Sequence, residues 1–271
     1  MKLQLVGARQ GLVWVRRAFQ AFARQPLGFA ALFASFLFVF LVLGLIPLVG
    51  TIALLVLLQA GSLLFMIASR RVVAGQSAMP GTIVELFSAG RARIVELLKL
   101  GLAYAAATLV LYWLAGMLDG GALEAFFEAL PDPKTTPETV AARVADPHLQ
   151  LGLILRLLFA AVLSVPFWHA PALVFWGGHG SAKSLFFSSV AIWRNKGAFS
   201  VYMLAWMALW LLLLAFVSLG VGVFGAQRFT LVATPLTLVF STIFYASLWF
   251  TFADCFTADD ATARAGVDST A

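Results

Sequence analysis

"SSVAIWRNKGAFSVYML", residues 188–204, sets a basic tip, Arg194–Asn195–Lys196, between a short amphipathic run and a long apolar one. On a helical period, Phe186, Val190 and Trp193 share one face of 184–196, while Ser184, Ser188 and Asn195 share the other. A bilayer core of ~30 Å needs ~20 apolar residues in a helix, so this segment is too short and too polar to cross. It suits a helix lying in the interface, with its basic end among the headgroups.

The same arrangement precedes two other apolar pairs. Near the N-terminus, Leu12, Val15, Phe19 and Phe22 oppose Arg9, Arg16, Gln20 and Arg24. In the middle, Thr82-Ile-Val-Glu85 reads as a capping box opening a short helix that carries Ile83 and Phe87, then Arg91 and Arg93. The chain thus reads as one membrane domain over 1–271, with three units near 8–69, 82–176 and 181–253. Each unit is an interfacial helix, a basic tip and a pair of spans. Basic residues that merely flank spans, as they do in many membrane proteins, are the simpler account of the same pattern.

Composition demands a membrane. Of 271 residues, 62% are hydrophobic and 11% charged, against about 25% charged in soluble domains. The excess of 18 basic over 12 acidic residues gives +6, yet the basic residues sit beside apolar spans rather than in a nucleic-acid patch. A cleavable signal is not expected, because the first long apolar run begins only after Pro26 and exceeds a signal-peptide core. The single Cys255 excludes an intrachain disulfide.

Apolar runs place six spans near 28–47, 50–69, 94–117, 151–176, 199–223 and 231–253, an all-α polytopic fold. Pro47 and Gly50 break the first pair. Six crossings put both ends on one side. Arg16, Arg17, Arg24, Arg70, Arg71, Arg91, Arg93, Arg194 and Lys196 all fall on that side. Opposite them, the 119–150 loop carries Asp119, Glu124, Glu128, Asp132, Glu138 and Asp146 against Lys134 and Arg143. The positive-inside rule makes the termini, including the 254–271 tail, cytoplasmic, in a membrane most simply a bacterial inner one. The expected partners are anionic headgroups at that face and a membrane or periplasmic protein, and the loop's two short helices, 122–130 and one capped by Thr136, either cap the outer end of the bundle or contact a periplasmic partner.

The stretches "ARQGLVWVRRAFQAFARQPLGFAALF" and "LFFSSVAIWRNKGAFSVYML" resemble a family of six-helix bacterial membrane proteins, mainly β-proteobacterial and without an established activity. The resemblance spans nearly the whole chain. The helix-then-span layout is distantly similar to the membrane domain fused to some glycerophosphodiester phosphodiesterases, whose catalytic domain has no counterpart here.

Polar residues inside the membrane are where function is sought. In "SVPFWHAPALVFWGGHG", Pro166 and Pro171 free the carbonyls of Val162 and Phe167 close to His169. That cluster could bind a proton, a cation or a polar substrate group, or His169 could simply fix the kink. Thr230, Thr234, Thr237, Ser241 and Tyr245 share one face of the sixth span and either line a polar cavity or bond within and between helices. Gln59 and Ser62 are a sparser pair, and Arg156 is read as snorkelling outward. Glu96 and Lys99 are expected to pair. No H-E-x-x-H, Walker or G-x-G-x-x-G motif occurs, so no cofactor, metal or enzyme activity is assigned. Two readings remain: a non-catalytic scaffold or envelope-assembly component, or a small-molecule or lipid permease using the kinked fourth span.

Overall fold

With no water in the hydrocarbon core to satisfy N–H and C=O groups, each apolar run must close its own backbone hydrogen bonds as a helix. The computed structural model, which describes residues 1–130 and 136–257, does so throughout. Asp132, Lys134 and most of the 254–271 tail lie outside the described residues. Among the described residues, six stretches are long and apolar enough to span: α2 (Pro26–Gly44), α3 (Val49–Val73), α5 (Arg91–Asp119), α8 with α9 (Pro147–Phe167 and Ala170–Phe175), α11 (Lys196–Phe224) and α12 (Ala226–Cys255). Short helices α1 (Gln10–Arg24), α4 (Gly81–Phe87) and α10 (Ser181–Arg194) precede successive pairs of spans. Two more, α6 (Ala122–Ala129) and α7 (Pro137–Val144), occupy the loop joining α5 to α8. The all-α polytopic class stands, and a two-residue antiparallel pair, β1 (Lys2–Leu3) with β2 (Phe256–Thr257), ties the N-terminal segment to the end of α12.

Most spans extend past the apolar cores marked in the sequence, because helices continue into the interfacial zone where polar groups are solvated. α5, for instance, begins at Arg91 rather than 94. The turn between α2 and α3 falls at Pro47, where Leu48 takes a positive φ of 61°.

Packing is uneven along the membrane normal. α3 is central and packs on α2, α4, α5, α9 and α12. The core concentrates at the end bearing the termini, around Trp14, Phe65, Met66, Leu173, Tyr202 and Phe252. Toward the loop end, α11 presents most of its apolar side chains outward, including Leu211, Leu212, Leu219 and Val223.

The short helices α1 and α10 pack on the protein largely through small side chains. α1 packs on α11 and α12 through Gly11, Trp14, Ala18 and Ala21, while Leu12 and Phe19 stay exposed. α10 packs its small and polar face, Ser184, Ser188 and Ala191, against the protein and leaves Phe186 and Trp193 exposed. Small side chains allow close approach between helices where burying bulk gains little over lipid. Asn195, read as part of a headgroup tip, is buried. It accepts from the Val6 N–H at 2.8 Å and donates to the carbonyls of Gln4 and Ala191 at 3.0 Å. The capping box at Thr82 does not form. Thr82 Oγ1 bonds back to the Ala78 carbonyl, and Glu85 pairs with Arg70 and with Arg71.

Gly11 sits where a Cβ would press into the backbone of α11 at Ala198 and Tyr202, whereas Gly7 has open space around it. Gly11→Ala should therefore cost about 1–3 kcal/mol from overpacking, read as a lower melting temperature in detergent. Gly7→Ala should leave the melting temperature unchanged.

Candidate functional site

Three polar constellations lie within the spans. The first is the break between α8 and α9. His169 would normally donate its N–H to the carbonyl of Val165, but the helix is interrupted there, and Ser188 of α10 fills the gap. Its Oγ accepts from the His169 N–H at 3.0 Å and donates to the Val165 carbonyl at 3.0 Å. A serine hydroxyl inserted into the ladder is a recognised cause of a kink. On α12, the Thr251 hydroxyl donates to the Leu248 carbonyl at 2.8 Å. Its lone pairs then accept Trp168 Nε1–H at 3.2 Å and His169 Nε2 at 3.1 Å. That assigns the ring proton of His169 to Nε2, since the only hydrogen on Thr251 is already committed.

His169 is wholly buried, with Phe199, Phe252 and Phe256 at ring-centroid distances of 5.7, 5.9 and 5.5 Å. Its Nδ1 has no hydrogen-bond partner. The ring thus sits in a closed aromatic box joining the broken fourth span to α12. Pro166 and Pro171 shape the break, and Pro171 falls within the first turn of α9, where its missing N–H costs little.

The sixth-span stripe is not brought together into one cavity. Thr230, Thr237 and Ser241 each donate to a carbonyl of their own helix four residues back, and Thr234 is exposed. Tyr245, at the far end of the stripe, lines a recess. The interhelical bonds of α12 come from a neighbouring face. Ser247 meets Tyr202 at 2.6 Å, and Ser69 of α3 donates to the Ala246 carbonyl at 2.9 Å. The repeat of Ser247 and Thr251 one turn apart was visible in the sequence, but the longer stripe beside it was the stronger pattern.

The second constellation is that recess, of about 170 Å³, between α3, α5, α8 and α12. Gln59, Ser62, Tyr104, Ser164, Trp168 and Tyr245 supply its polar wall, and Phe167 and Phe244 supply rings. Gln59 is buried, and its Oε1 accepts no hydrogen bond.

The third lies at the loop end. Arg156 does not snorkel to solvent. It is buried on α8, paired with the buried Asp119 at the end of α5, and its Nη2 stands 3.0 Å from Glu124 Oε1 on α6. Gly152 leaves the space Asp119 occupies. The pair joins α5 to α8, a contact that separation in sequence concealed.

The basic end carries a rim of charge. Arg16, Arg24, Arg91, Arg93 and Arg194 are exposed, and Lys196, also exposed, stands over the Trp193 ring at 5.5 Å. Others hold the fold. Arg17 reaches Asp254 at 3.1 Å, beside the Trp14 indole N–H at 2.9 Å, and Arg70 covers the Trp176 ring at 5.4 Å. Glu96 takes Lys99 at 2.6 Å, as expected. Its other oxygen accepts from the Ser181 N–H at 2.8 Å, capping α10 from a different helix. Among the described residues, no group of three His, Cys, Asp or Glu side chains could hold a metal ion.

A probable inner membrane protein of Burkholderia thailandensis is 31% identical to the chain over 258 residues, covering 94% of each. No family model and no solved structure matches. The likeness to a phosphodiesterase membrane domain gains no support from these comparisons.

Removing one partner of a buried ion pair strands the other, at about 3–5 kcal/mol, whereas replacing both with apolar residues is often neutral. Arg156→Met alone should therefore destabilise the protein strongly. The double variant Arg156→Met with Asp119→Leu should recover most of that loss in a thermal melt.

Proposed function

The chain belongs to the family of the Burkholderia thailandensis inner membrane protein, and from that premise we propose a non-catalytic scaffold of the bacterial inner membrane. Its termini face the cytoplasm and its basic rim faces anionic headgroups. The observation that carries this reading is the use made of His169. The titratable ring of the fourth span is enclosed by three phenylalanines and bonded to Thr251, where it joins helices instead of lining a path. A proton or substrate path would need the ring to open onto a cavity, and the ring is fully enclosed. The positive-inside rule supports the orientation, since the exposed arginines gather at the end that holds the β1–β2 pair. The succession of short helix and two spans supports a threefold repeat in which each unit enters the membrane from the same side. The loop helices α6 and α7 offer the other side a surface for a periplasmic partner.

A second reading has its own support. The recess beside the broken fourth span lies among membrane helices and is lined by Ser164 and Trp168, as a lipid or small-molecule permease would require.

His169→Ala separates the two. As a joint, it should lower protein abundance and melting temperature while leaving the proton permeability of proteoliposomes at the wild-type level. An altered proton or solute flux at wild-type abundance would favour the permease. Orientation is tested by fusing alkaline phosphatase into the loop between α6 and α7. Phosphatase activity is expected, and an inactive, cytosolic fusion would reverse the topology.

A further inference from the structure

At the end bearing the termini, one edge of α1 borders a groove of about 490 Å³ that α3 and α12 close. Arg17, Gln20 and Arg24 follow one another on that edge and share it over about 10 Å of helix. Opposite stand Val73, the last residue of α3, and Trp249 and Phe250 in the closing turns of α12. Both spans end there, which sets the groove at headgroup depth. The polar edge is open to a ligand. Arg17 uses Nη1 to hold Asp254, at 3.1 Å, but its side chain is 44% exposed and its other nitrogens remain donors. Gln20 and Arg24 are exposed, and among the described residues neither has a hydrogen bond or an ion pair. No Asp or Glu lines the groove, so two guanidiniums against the Asp254 carboxylate leave one net positive charge, centred on Arg24. That charge repels an ammonium headgroup and attracts a single anion, and the apolar wall asks for an apolar body joined to the anion. A fatty acid presents its oxygens at one point. A phosphoglycerol headgroup spreads a phosphate and hydroxyls over a length like that of the edge. Arg24, uncompensated, suits the phosphate, which a guanidinium fork matches. Arg17, its charge offset by Asp254, suits neutral hydroxyls. Gln20 between them serves a hydroxyl in either orientation of its amide, because amide and hydroxyl each donate and accept.

We propose that the groove between α1, α3 and α12 holds a lipid with a singly charged phosphoglycerol headgroup, its phosphate on Arg24, its hydroxyls on Gln20 and Arg17, and its apolar part against Val73 and Trp249. A soluble phosphoglycerol ester offers the same head but nothing for the apolar wall, so the lipid is the occupant. The site rests on the reading that the basic end faces anionic headgroups, and adds one built place for one of them.

The test uses the full chain, purified in mild detergent with equal amounts of phosphatidylglycerol, phosphatidylmethanol and phosphatidylcholine, and native mass spectrometry of the lipid it keeps. Phosphatidylglycerol is expected to be kept at least about tenfold over phosphatidylcholine, as one charge-assisted hydrogen bond allows. Phosphatidylmethanol, with the same charge and no hydroxyls, should be kept several-fold less than phosphatidylglycerol. Arg24→Gln should bring the tenfold preference near parity at an unchanged melting temperature. Gln20→Leu should erase only the margin over phosphatidylmethanol. Arg91→Gln with Arg93→Gln, on the rim outside the groove, should change neither, and soluble glycerol phosphate at the lipid's concentration should leave the bound lipid in place. Displacement by glycerol phosphate, equal retention of phosphatidylglycerol and phosphatidylmethanol by the wild type, or a preference that survives Arg24→Gln would overturn the proposal. An equal loss in the rim variant would also overturn it, while leaving the headgroup reading intact. A wild type that does not prefer phosphatidylglycerol to phosphatidylcholine would sink both.

Discussion

The fold depends on one requirement: where the fourth span breaks, the exposed backbone groups must find partners inside the protein. Ser188 supplies them from α10, one hydroxyl serving the His169 N–H and the Val165 carbonyl together. This explains why α10 turns its serines inward and its bulky apolar residues outward, against the usual sense of an amphipathic helix. It also explains why α10 is held so firmly. Glu96 caps its first turn from α5, and Asn195 closes its last turn while holding the N-terminal segment at Val6. The basic tip that interrupts the apolar run is thus a fastening point, with only Arg194 and Lys196 left to the surface.

The terminus-bearing end is fastened a second time through Asp254. This carboxylate near the end of α12 accepts from Gln10, Trp14 and Arg17, so successive turns of α1 meet one acceptor. The β1–β2 pair completes the belt. Polar bonds do here what hydrophobic burial does in water, since transferring an apolar side chain from lipid to protein gains little. The consequence is a gradient. Of the apolar stretch of α3, 39% is buried, against 6% for α11, and the well-packed residues gather where the polar fastenings are.

The architecture was legible because its signal is coarse. Long apolar runs, Pro47, and the sorting of arginines away from the acidic loop give the number of spans and set their ends on common sides without any tertiary detail. What the sequence concealed were pairings across distance. Arg156 and Asp119 are 37 positions apart and read separately as a snorkelling side chain and a loop acid, yet they form one buried pair. Periodicity left two outcomes open on the sixth span, a polar cavity or bonds within and between helices. The Thr234, Thr237 and Ser241 stripe is regular but exposed or self-bonded, whereas the shorter Ser247 and Thr251 pair makes the contacts between helices. A hydroxyl pattern states which face of a helix is polar and not whether another helix faces it. The same ambiguity hid the packing of α10, whose basic end the sequence assigned to headgroups and whose serine face meets the protein.

The two polar sites near the broken span differ in kind, and the difference follows from enclosure rather than composition. Around His169, four helices converge, and each donor but none of the ring's free lone pair is spoken for, so the cluster has become a joint. Gln59, on the wall of the recess between α3, α5, α8 and α12, is also buried and its oxygen has no partner. Unpaired buried polar atoms occur at both places, since His169 Nδ1 and Ser184 Oγ beside the broken span also have no partner.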